Sequence, residues 1–114
     1  MRRLILIPLC LFVWCMTGCE KYVIDLPDIP TDISFSADIQ PIFDARCVNC
    51  HGGMIDPELN PGESYDELID GEYVDTDDPE ASELYTKLKG GHGNSTIEEQ
   101  LIILQWIKEG ALNN

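Results

Sequence analysis

Cys47-Val48-Asn49-Cys50-His51 is the densest run of reactive side chains in the chain. Two thiols two residues apart, followed at once by an imidazole, suit disulfide chemistry, metal ligation or covalent attachment of a haem. The last accounts for every position. Thiols at this spacing reach the two haem vinyl groups as thioethers, and the next residue then lies beneath the iron. His51 offers a neutral imidazole nitrogen there. Its other ring nitrogen is expected to donate to a backbone carbonyl, with the stretch from Pro57 to Pro61 as the expected source. A thioredoxin-like redox pair needs a βαβ setting that this sequence lacks. A structural zinc site usually draws on two well-shaped pairs of ligands, and the second pair here would be a lone His92. A plain disulfide between Cys47 and Cys50 is compatible with the cysteine count. The haem reading is the one carried forward.

The elements that must position this segment are helical. Phe35, Ile39, Ile42 and Phe43 fall at i, i+4, i+7 and i+8, a single helical stripe. Pro41 is tolerated if that helix starts near Asp38, because first-turn N–H groups have no intrahelical acceptor. Ser64-Tyr65-Asp66-Glu67 reads as a capping box for a short helix ending near Gly71. Asp78-Pro79 puts a cap residue before a first-turn proline and predicts a helix to about Lys89. Thr96-Ile97-Glu98-Glu99 is a second capping box, opening a longer helix to Glu109 with Gly110 as its stop. That last helix has only a narrow polar stripe of Glu98, Gln105 and Glu109, so it is expected to be buried widely. No strand-like alternation and no internal repeat is present. The expectation is an all-α domain of about four short helices around one covalent haem, which would supply apolar volume that a small core lacks.

The first 18 residues read as a separate leader. Arg2 and Arg3 precede the apolar run Leu4 to Trp14, too short for a stable membrane span. Met16-Thr17-Gly18-Cys19 resembles the lipobox of bacterial lipoproteins, with Met16 in place of the usual Leu. The resemblance implies cleavage before Cys19 and a diacylglycerol on its thiol. Residues 1–18 are thus expected to be a signal peptide, 19–34 a lipid anchor with an extended tether, and 35–114 the folded domain. An exported protein, periplasmic or at the cell surface, follows. Cys10 and Cys15 would leave with the signal. Of the seven Lys and Arg, two lie in the leader, so five basic residues face 21 acidic ones after it, a net charge of −16. Such a field argues against nucleic acid and anionic lipid as partners, and favours either solubility alone or docking to a basic protein surface.

The run from Ile42 to Gly52, with an aromatic four residues before the first cysteine, looks like the opening of cytochrome c domains. Ser64 to Leu68, Asp78 to Tyr85 and Gln105 to Ala111 resemble small bacterial lipoprotein cytochromes. The resemblance covers about residues 34 to 114. It implies the cytochrome c fold, in which the first and last helices cross near the haem edge, with Phe43 and Trp106 at or near the crossing. Members of that group usually carry a methionine ligand between the last two helices. This chain has Gly90-Gly91-His92-Gly93-Asn94 there, and Met54, three residues after His51, is too close to cross to the other haem face. His92 is the distal candidate, with glycines that let its loop approach closely. The expected function is one-electron transfer rather than catalysis. The alternative is a haem with an open sixth position, acting on peroxide or sensing a small gas.

Overall fold

The computed structural model describes residues 21–114; the expected leader and Cys10, Cys15 and Cys19 lie outside the described residues. Residues 21–30 form no regular secondary structure and, Ile29 apart, are exposed. Packing begins at Asp32 and Ile33, whose backbone amides donate to the two Glu109 carboxylate oxygens at 3.0 and 2.8 Å. Ile33 is buried.

The described residues are helical and contain no strand. A π-helical turn over Phe35–Ile39 leads directly into α1, Gln40–Arg46. The expected start near Asp38 is therefore three residues late. Ser34 caps the turn instead, its hydroxyl accepting from the Ala37 amide at 3.2 Å. Pro41 has no N–H to donate, and the wider turn, closed by Gln40 N–H to the Phe35 carbonyl, accommodates it inside a longer helical run. Asn114 satisfies two more first-turn donors, taking Phe35 N–H on its side-chain oxygen and Ser36 N–H on its carbonyl, both at 2.9 Å.

A single turn, α2, spans Val48–His51; α3 spans Ser64–Asp70, α4 Glu83–Lys89 and α5 Ile97–Lys108. Two expectations about helix starts fail. Ser64 is not a cap: it is fully buried at N1 and its hydroxyl donates to the Gln40 side-chain oxygen. The helix expected from Asp78 breaks after a 3-10 turn, Pro79–Ala81. Ser82 is extended there (ψ 133°) because its buried hydroxyl accepts from Asp75 N–H at 2.8 Å and donates to the Asp75 carbonyl at 3.2 Å. The capping box at Thr96 is present in both directions, with Glu99 N–H on Thr96 Oγ1 at 3.1 Å and Thr96 N–H on Glu99 Oε2 at 2.7 Å.

The core has an aromatic centre. Phe35 packs on Phe43, Tyr65 and Trp106 at ring-centroid distances of 6.2, 5.2 and 5.2 Å. This joins α5 to the π-turn, and Phe43 and Trp106 are both fully buried beside it. Trp106 Nε1 donates to the Leu112 carbonyl and the Tyr65 hydroxyl to that of Ala111, so both polar tips are satisfied. Burial of α5 is narrower than its composition implied, since Ile97 is exposed at the helix start. Its last turn places Glu109 against the incoming chain.

Hydrogen bonds from Gln105 and from the amides of Ile33 and Asp32 hold the Glu109 carboxyl below its usual value of 4.5. A carboxylate so stabilised strengthens the fold above its unfolded pKa and loses that contribution as pH falls through the lower folded value. Glu109→Gln should therefore lower the thermal midpoint by a few degrees at pH 7, and the gap from the unsubstituted protein should shrink as pH drops below 4.5, read by circular dichroism melts.

Candidate cofactor site

Cys47, Cys50 and His51 reach one cavity of about 590 Å³. That volume is ordinary for a site holding a cofactor. Cys47 closes α1 and α2 begins one residue later, so the two thiols and the imidazole share one bend of helix. Cys47 is buried and Cys50 exposed; burial, followed by the nearby Glu99 charge, pushes the Cys47 thiol pKa up. Leu59, Leu68, Leu84 and Leu88 supply the apolar lining from the loop after α2 and from α3 and α4. His92 lines the cavity from a 3-10 turn between α4 and α5.

The loop after α2 folds back onto His51. Leu59 N–H donates to the His51 carbonyl at 2.7 Å. His51 Nδ1 lies 3.0 Å from the Pro57 carbonyl and 3.2 Å from that of Ile55. A carbonyl oxygen only accepts, so Nδ1 carries a proton, and in the neutral imidazole the lone pair is then on Nε2. Pro57 is inside the stretch expected to provide this acceptor. Gln40 ties the loop to the rest of the domain: its side-chain nitrogen donates to the Leu59 carbonyl at 3.0 Å and to Asp44 at 2.9 Å, while Ser64 donates to its oxygen.

The ring centroids of His51 and His92 are 5.9 Å apart, with the planes at 65°. Metal–imidazole bonds of about 2 Å and ring radii of about 1.1 Å put imidazoles on opposite faces of one metal about 6 Å apart between centroids. The observed centroid spacing is of that order. Gly91 and Gly93 flank His92 at φ +93° and +77°, values that a side-chain-bearing residue adopts with strain. A Cβ on Gly93 would meet Cys47 Sγ and the Arg46 carbonyl only at an ordinary contact distance of 4.0 Å, so the backbone conformation rather than crowding calls for glycine there. Met54 is almost fully exposed and does not line the cavity.

No group of three His, Cys, Asp or Glu side chains among the described residues converges as a metal site. Cys47, Cys50, His51 and His92 accordingly do not form a closed tetrahedral cluster. A haem would bring four nitrogens of its own, and His51 and His92 are the cavity-lining side chains that could ligate its iron. Thiols, proton-fixed imidazole, apolar walls and a second imidazole together fit a flat, largely apolar group with a metal at its centre. Tyr73 and Lys87 also line the cavity, and neither was singled out in the sequence. The i, i+4 pair Leu84 and Leu88 marks the face of α4 beside Lys87, and was the available signal.

Comparison with protein-family models, curated proteins and solved structures finds no match to this chain. Its own geometry therefore carries the argument. Gln40→Ala would leave the Ser64 hydroxyl and Leu59 carbonyl buried without their partner, and should cost about 1–3 kcal/mol. Urea unfolding with an unchanged m-value would read that loss.

Proposed function

We propose that this chain is an exported one-electron carrier, a small cytochrome c-like domain holding one covalent haem. The observation that carries the reading is the His51 Nδ1 contact with the Pro57 carbonyl, which leaves Nε2 as a ligand beside two cavity-lining thiols. Cys47 and Cys50 would hold the haem as thioethers, each S–H adding across one vinyl with no net loss of electrons. His51 would supply one iron ligand and His92 a second. A bound haem supplies the ferrous–ferric couple. The chain's own residues hold the macrocycle by two covalent links, keep the His51 tautomer fixed and surround the ring with leucines that exclude water. Two imidazoles set a lower potential than imidazole with a thioether sulfur.

The same reading puts the domain outside the cytoplasm, with Cys19 lipidated and residues 19–34 as lipid anchor and tether to a membrane. Among the described residues no helix is long and apolar enough to cross one. The acidic surface suits redox partners with a basic docking face. A second reading has one observation in its favour: His92 is exposed on a glycine-flanked turn. If His92 leaves the iron readily, the site would bind peroxide or a small gas.

Expression with a cytochrome c maturation system, followed by a haem stain on a denaturing gel, is the test. Retained haem is expected from the unsubstituted chain; a Cys47→Ala, Cys50→Ala pair should lose it, and an unstained parent would sink the proposal. The ferric spectrum should be low-spin and become high-spin in His92→Ala. Rapid carbon monoxide binding by the reduced parent would instead favour the open-site reading.

A further inference from the structure

A haem brings two propionate carboxylates into a cavity that belongs to a strongly acidic chain. Asp56 and Glu83 already line it. A cation beside the propionates would offset that field, and few are available. From residue 33 onward the basic side chains are Arg46, Lys87, Lys89 and Lys108. Arg46 also lines the cavity, but its Nε is paired with Glu99 at 3.1 Å, and Lys108 Nζ is paired with Glu80 at 3.4 Å. Lys89 Nζ sits over the Tyr85 ring, 5.5 Å from its centroid. Lys87 has no carboxylate or ring partner among the described residues, and it lines the cavity.

The usual helical partner is close and unused. Glu83 lies four residues before Lys87 on α4, the favoured order for an ion pair, yet no ion pair joins them. Tyr73 adds a neutral donor. It is half-buried, it lines the same cavity, and its hydroxyl makes no hydrogen bond among the described residues. Its carbonyl accepts from Leu84 N–H at 3.0 Å, which joins the segment after α3 to the start of α4. The vinyl and propionate groups lie on different edges of a haem. With Cys47 and Cys50 holding the vinyl edge, the propionates must meet a wall built by other elements, and Tyr73 and α4 provide one.

We infer that Lys87, assisted by the Tyr73 hydroxyl, binds a haem propionate and holds it ionised. The inference rests on the haem reading above. Lys87 and Tyr73 would be positioning residues: an ammonium against the carboxylate lowers its pKa and orients the macrocycle about its thioether links.

The test is the pH dependence of the reduction potential of the full matured chain, in which propionate ionisation appears as a bend. Lys87→Gln should move the bend upward by about one pH unit or more, Tyr73→Phe in the same direction by less, and Lys87→Arg should restore it. Lys89→Gln removes the same charge outside the cavity and should leave the bend in place. Equal shifts from Lys87→Gln and Lys89→Gln, or no shift from Lys87→Gln, would overturn the propionate contact while leaving the haem reading intact. A parent chain that retains no covalent haem would overturn both.

Discussion

The side-chain amide of Gln40 joins the three pieces of chain that define one wall of the cavity. It is buried in α1, donates to the carbonyl of Leu59 at the end of the loop after α2, and accepts from Ser64 at the start of α3. Leu59 in turn donates to the His51 carbonyl. The position of His51 is thus set by a short series of hydrogen bonds that begins in α1. Individually such bonds contribute about 1 kcal/mol net. Their larger effect is on uniqueness, because any other loop conformation strands buried polar atoms. If the His51 ring nitrogen is to face a metal, as proposed, it would need that specificity more than it needs stability.

The apolar residues divide into two groups with different tasks. Phe35, Phe43, Tyr65 and Trp106 fill the space where the π-turn, α3 and α5 meet. Leu59, Leu68 and Leu88 are as buried as these aromatics, yet they also border a cavity. The aromatic group holds the termini together: Trp106 and Tyr65 reach the carbonyls of Leu112 and Ala111, and Asn114 meets the first turn. With the ends fixed there, the middle of the chain can enclose a hollow without the domain coming apart.

Sequence patterns that depend on local chemistry were legible. The Thr96 box needs only residues three apart, and it formed as expected. The helical stripe through Phe43, the stop at Gly110 and an acceptor from Pro57 for His51 were likewise visible in spacing. Misread features involve side chains with distant partners. Ser64 has the sequence of a cap, but Gln40, 24 residues earlier, takes its hydroxyl. Ser82 interrupts a good helical pattern because it bonds back to Asp75. A one-dimensional pattern cannot weigh such contacts against a helix. Lys87 was invisible for a related reason: its distinction is the absence of a carboxylate partner, which only the assembled molecule reveals.

The two imidazoles are held by different means, and that difference bears on what an iron between them could do. His51 is fixed by two carbonyl contacts, a backbone hydrogen bond and the thiols beside it. His92 is exposed on a turn between two glycines at positive φ, with no side-chain hydrogen bond among the described residues to orient its ring. Metal coordination would itself be the strongest constraint on His92, whereas His51 is oriented before any metal arrives. Ordering that turn costs conformational entropy, which a bond from an iron to the ring nitrogen would have to offset. On the proposed haem reading, occupancy of the sixth position would be a balance internal to this chain. The two flanking glycines, at positive φ on either side of His92, would favour release.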